Sequence, residues 1–203
     1  TDWPKSVINE VNKLKNDKEE NGQCEDLRNK TFVTIDGKSA KDFDDAVLGE
    51  KDKEGNYILY VAIADVARFV KLGSGIDQEA AERGTSVYFT QKVVPMLPEL
   101  ISNDLCSLRP NEDRFCVVCK TIVNKDGSLK ESTFFEARIN SKARLTYERL
   151  SEEIEKNKLN QTYSKSIKNL LEIYQRLKEN KENRGALELE VPFYVPHFND
   201  NKV

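Results

Sequence analysis

Thr31-Phe32-Val33-Thr34-Ile35-Asp36-Gly37-Lys38-Ser39-Ala40-Lys41-Asp42-Phe43-Asp44-Asp45-Ala46-Val47-Leu48 is the stretch from which the rest of the chain is best read. Both its ends are short runs of β-branched and apolar residues, the composition of strands that pack into a core. Between them lies a loop bearing four aspartates, Asp36, Asp42, Asp44 and Asp45, interrupted by Phe43. A loop anchored at both ends by buried strands cannot simply point every carboxylate at bulk water. Like charges held this close raise one another's pKa or demand a cation, and hard divalent ions such as magnesium take oxygen ligands. In an extended segment Asp42 and Asp44 share a face while Asp45 points away, so the loop must turn to gather all four. Gly37 gives the backbone that freedom. The plain alternative is a solvated acidic surface loop. An EF-hand calcium loop would need ligands at alternate positions, a central glycine and a later bidentate glutamate, and this spacing fails that test.

On the N-terminal side, Asp2-Trp3-Pro4 resembles an N-cap followed by a helix-starting proline, and Val7, Ile8, Val11 and Leu14 then recur at helical spacing. Residues 15–29 are charged and polar around Gly22 and read as a linker. On the C-terminal side, the Lys53-Glu54-Gly55-Asn56 turn leads into a strand from Tyr57 to Ala64. Asp77 to Arg83, closed by Gly84, suits a short helix, while Val93 to Pro98 should be irregular. Phe115 to Val123 and Ser128 to Ile139 flank Asn124-Lys125-Asp126-Gly127, a strong hairpin signal. Helices are expected near Thr146 to Lys156 and Tyr163 to Asn183, with a further strand at Ala186 to Val191. The sum is one α+β unit, a mixed and largely antiparallel β-sheet with packed helices. Residues 1–28 form its lead-in helix and linker, and 29–203 its body.

Composition narrows the function. The chain has 203 residues, a third of them charged, and a formal charge of -3, so no global basic field draws it to nucleic acid. Four cysteines are sparse for this length. With no signal peptide or membrane-spanning run in the sequence, free thiols in a reducing cytoplasm are the simplest expectation, with no membrane partner. Cys116 and Cys119 fall within a β-like run, where the two thiols face opposite sides, and no second Cys-x-x-Cys completes a zinc site. His197 is the only histidine, which excludes a metal-free mechanism built on two histidines.

Val33-Thr34-Ile35-Asp36-Gly37, Ala40 to Val47, Val61-Ala62-Ile63-Ala64-Asp65-Val66, Arg83 to Tyr88, Val94 to Glu99 and Leu105-Cys106-Ser107-Leu108 follow one another in an order that resembles the ribonuclease II and ribonuclease R family, its bacterial ribonuclease R branch above all. The likeness runs from about Leu27 to Glu190. It implies a partial catalytic domain of the RNB type and processive 3′-to-5′ hydrolysis of RNA, single-stranded at its 3′ end, with release of nucleoside 5′-monophosphates. It further implies that Asp36, Asp42, Asp44 and Asp45 surround a catalytic Mg2+ site, which Mn2+ could also fill. Asp36 and Asp45 would be direct ligands, and Asp44 would orient a second ion or the attacking water. Tyr88 matches an aromatic that stacks on a 3′-terminal base. Arg83 is placed either to meet a phosphate or to cap its own helix. Family members continue into a second half that holds an arginine-bearing Ser-Pro-Ile-Arg motif, so this chain is expected to be the N-terminal half of the domain. A catalytically silent RNA- or protein-binding module on the same scaffold is the alternative, and loss of an aspartate would have favoured it.

Overall fold

The computed structural model describes residues 2–14, 24–89 and 92–187. Helix α1 (Lys5–Leu14) follows Pro4 and buries Val7, with Val11 and Leu14 packed on the same core. It meets α2 (Gly75–Arg83) end-on through Glu10, whose carboxylate accepts from the amides of Gly75 at 2.8 Å and Ile76 at 3.0 Å. A carboxylate there satisfies donors that a helix N-terminus leaves unpaired and lies at the positive end of its dipole. Ser74 completes the cap by accepting from Asp77.

The body is a seven-stranded mixed sheet. Its strands are β1 (Glu25–Asp26), β2 (Val33–Asp36), β3 (Asp45–Lys51), β4 (Tyr57–Ala64), β7 (Asp113–Val123), β8 (Leu129–Asn140) and β9 (Ala143–Thr146), in the order β1-β8-β7-β4-β3-β2-β9. The β1·β8 and β2·β9 pairs are parallel and the other four antiparallel. Strand periodicity sorts the side chains. Ala46, Leu48, Tyr60, Ala62, Cys116 and Val118 face the main core with Phe32 and Val7. The opposite face takes α3 (Tyr147–Glu155) and α4 (Ser164–Asn183), packed around Val33, Leu145, Tyr163 and Ile167.

Helix α4 approaches β3 so closely that a Cβ on Gly49 would come 2.8 Å from the Leu170 backbone nitrogen. Two buried polar side chains of α4 serve the same glycine. Ser166 accepts from its amide at 3.2 Å, and Asn169 donates to its carbonyl at 3.0 Å.

Two expectations of the fold are corrected. Glu25–Asp26 joins the sheet edge and Leu27 is buried in the main core, so the sheet begins within the stretch read as a linker. The proline-flanked Val93–Val94 is not irregular but forms β6, paired with β5 (Val87–Tyr88) in a separate two-stranded sheet. Such pairs are too short to carry an alternating pattern. A π-helical turn at Ile101–Leu105 was also not foreseen. The strand expected over 186–191 lies largely outside the described residues, and His197 wholly so. Among the described residues no helix is long and apolar enough to cross a membrane.

Candidate active site

The aspartate loop is a crossing between neighbouring strands. Asp36 is the last residue of β2 and Asp45 the first of β3, which returns antiparallel beside it with Val33 opposite Val47. Asp44 already belongs to the ladder, its carbonyl accepting from Ala64 at 2.9 Å. Phe43 is buried and plugs the loop into the main core, its carbonyl accepting from Leu108 at 2.8 Å. Asp42 and Asp44 flank that plug in a segment outside the strands, the first half-buried and the second exposed. There they line a groove of about 1010 Å³, shared with Tyr88, Met96, Asn103 and Cys106. Asp36 and Asp45 do not line this groove and stay at the strand ends.

Burial pushes the Asp36 carboxyl above the ordinary aspartate range, and repulsion from Asp45 adds to it, while the Arg144 guanidinium works the other way. The neighbouring Thr34 hydroxyl also lowers it, but neither that hydroxyl nor the buried Asp36 Oδ2 has a hydrogen-bond partner of good geometry. An unpartnered buried carboxylate oxygen is costly unless a cation or proton meets it. Asp44 is likewise raised, first by burial and then by Asp42 and Asp45. Because Asp44 remains exposed along the groove, water screens part of that penalty. Every donor here is a hard oxygen, the set that suits Mg2+ or Mn2+. The four do not form one shell, however: among the described residues no three acidic, thiol or imidazole groups converge closely enough to hold an ion. Like charges repel, and adjacent Asp44 and Asp45 leave a strand on opposite faces.

Tyr88 stands 71% exposed at the groove's far side, held there by the β5·β6 pair. Ser86 helps to fix that lip by accepting from the Met96 amide at 3.0 Å. Arg83 does not reach the groove. Its guanidinium stacks on Trp3 at 3.6 Å, pairs with Glu79 at 2.8 Å and donates to the Pro95 carbonyl at 3.0 Å. These contacts tie α2 to Trp3 and to the segment after β6, and none of them is to a carbonyl of its own helix.

The family model of the RNB domain matches residues 24–203, which takes in the whole sheet, the aspartate loop and Tyr88. The chain belongs to the RNB-domain family. A ribonuclease R of Vibrio parahaemolyticus is 45% identical over 195 residues, covering 93% of this chain and 23% of that protein, and the Escherichia coli ribonuclease R is 43% identical over 194 residues. This RNB chain therefore spans about a quarter of the length of the curated relatives it matches. Mycoplasma genitalium RNase R in complex with double-stranded RNA superposes with a TM-score of 0.86 at 34% identity, over 93% of this chain and 34% of that one. Yeast Ssd1, described as a pseudonuclease, shares the fold alone, with a TM-score of 0.67 at 19% identity over 79% of this chain and 20% of that one.

Three residues of this RNB site were missed in the sequence as individuals. Arg144 of β9 donates to the carbonyls of Gly37 at 3.1 Å and Lys38 at 2.8 Å. Ser107, fully buried, accepts from the Phe43 amide at 3.1 Å and donates to the Lys41 carbonyl at 3.3 Å. Cys106 lines the groove, but burial, with Asp44 and Asp65 nearby, pushes its thiol up to about 12, which leaves it an inert wall rather than a nucleophile. The parallel pairing of Thr34 with Arg144 joins segments 110 positions apart, so no local pattern could announce it.

Proposed function

We propose that this chain forms the acidic wall of a 3′-to-5′ exoribonuclease site that hydrolyses RNA, single-stranded at its 3′ end, and releases nucleoside 5′-monophosphates. The observation that carries this reading is one groove with Asp42 and Asp44 on one side and an exposed Tyr88 on the other, backed by the unpartnered Asp36 oxygen. An aromatic face accepts any base, as sequence-independent decay requires. Asp36 and Asp45 would hold Mg2+, or Mn2+ in its place, from the strand ends. Bound there, the ion supplies Lewis-acid polarisation of the scissile phosphate and lowers the pKa of a water nucleophile. Asp44, which reaches the groove, would orient that water, and Asp42 would add charge beside it. The relatives, a ribonuclease R and an RNase R solved with double-stranded RNA, support RNA as the partner. A cytoplasmic site of action suits Cys24, Cys106, Cys116 and Cys119, which are all free thiols.

The test uses the full-length protein with uniformly labelled single-stranded RNA and Mg2+. Mononucleotide release from wild type is expected, with a loss of roughly 10³-fold or more in kcat for Asp44→Asn while RNA affinity is kept. Tight binding with no decay in wild type would instead establish a silent binding module, the state named for Ssd1.

A further inference from the structure

The aspartate loop has little backbone structure of its own. Within it, one hydrogen bond closes a turn, from the Ala40 amide to the Gly37 carbonyl at 3.1 Å. Four carboxylates in such a short span push the loop open, so something outside it must set its shape. Two distant residues reach in. Arg144 holds the first half by the Gly37 and Lys38 carbonyls, with the Ala40 carbonyl at 3.5 Å, and its guanidinium lies 5.3 Å from the centre of the Phe43 ring. Ser107 holds the second half from both sides, through the Phe43 amide and the Lys41 carbonyl.

We propose that Arg144 and Ser107 are the positioning residues of the metal site, a clamp that fixes the loop backbone and so sets where Asp36, at the end of β2, and Asp42 and Asp44, on the groove, hold their carboxylates. This inference rests on the reading of the loop as a metal site. The Arg144 side chain acts in two ways. Its charge offsets repulsion at Asp36, and a single guanidinium nitrogen, Nη2, donates to the neighbouring Gly37 and Lys38 carbonyls while the planar group lies toward the Phe43 ring. Ser107 contributes geometry alone. Its single hydroxyl serves a donor and an acceptor on opposite sides of Asp42. Partners one step out from the ligands commonly change metal affinity by about 10- to 100-fold when removed.

The experiment compares full-length wild type with Arg144→Met, Arg144→Lys, Ser107→Ala and Asp44→Asn. It measures Mn2+ affinity by electron paramagnetic resonance, single-turnover RNA cleavage against Mn2+ concentration, RNA affinity in EDTA, and melting temperature. Arg144→Met and Ser107→Ala are expected to weaken Mn2+ binding and raise the midpoint of the cleavage titration by about tenfold or more, with RNA affinity in EDTA nearly unchanged. Arg144→Lys should recover part of the loss, the part due to charge. If Arg144→Met fails to fold, Ser107→Ala, which removes one oxygen from the core, decides the question. A drop in melting temperature with an unmoved Mn2+ midpoint would show a merely structural role and overturn the clamp while the metal-site reading stands. Wild-type cleavage by Asp44→Asn would overturn that reading and the clamp with it.

Discussion

Asp36 shows at the scale of one residue how the loop trades stability for function. Its carboxyl is raised above the ordinary range by burial and by Asp45, so in the window between its unfolded and folded pKa the folded chain binds more protons than the unfolded one. Stability contributed by this group therefore falls as pH rises through that window, and the penalty is complete above it. Asp36→Asn removes the charge. The variant should gain stability over wild type when metal is chelated, by more at about pH 7 than at about pH 3, where the carboxyl is neutral in both states. Urea unfolding in EDTA at the two pH values measures this, and an equal difference at both would refute it. Tyr88 makes a second case. Removing its ring by Tyr88→Ala should weaken binding of a short RNA 3′ end by about 1–3 kcal/mol, whereas Tyr88→Phe keeps the stacking face and most of the affinity. Equal losses would mean that the hydroxyl, not the ring, makes the contact. Both residues stand out in the sequence as candidates, Asp36 by an acidic cluster between strands and Tyr88 by its place in an ordered series of motifs. The contacts of Arg83 were not legible, because its partners Trp3 and Pro95 are distant in sequence and nothing in the helix that ends with it announces them.

Among the elements, α4 is fixed to the sheet by packing and by two buried polar contacts to one glycine of β3. Asn169→Leu would leave the Gly49 carbonyl without its donor in a dry interface, a loss of about 1–3 kcal/mol by thermal or urea unfolding. Gly49→Ala should be at least as damaging, since its Cβ would sit 2.8 Å from helix backbone that cannot step aside. A stable Gly49→Ala protein would show that α4 shifts along the sheet more freely than its contacts suggest. The helices and the long hairpin were legible because each carries a full period of apolar residues or a glycine turn signal, as Gly127 does at a φ of 81°. The two-residue strands and β9 were not. Glu25–Asp26 pairs with Ala137 and Arg138, and Ala143–Thr146 with β2, so both owe their conformation to partners far along the chain.

At the scale of the whole molecule, charge and extent set what these residues can do by themselves. The chain carries a formal charge of -3, and its candidate site adds four carboxylates where a polyanion must approach. It also spans only about a quarter of the curated relatives it resembles. Phosphoryl transfer is accelerated by positioning and by cationic groups that stabilise charge in the transition state. Here Arg144, whose charge acts on Asp36, is already bonded to loop carbonyls. Residues 1–203 alone are therefore expected to grip single-stranded RNA weakly. The salt dependence should be shallow, because the logarithmic slope scales with about 0.7 per phosphate neutralised. Their cleavage should be far slower than that of a full-length protein, even with all four aspartates present. The measurement sets the isolated chain beside the full-length protein, titrating labelled RNA at several salt concentrations and resolving products in Mg2+, each with Asp44→Asn as control. Stepwise mononucleotide release by residues 1–203 at the full-length rate, lost in Asp44→Asn, would show that the groove beside this loop supplies its own charge stabilisation and that the expectation of dependence on the rest of the protein is wrong.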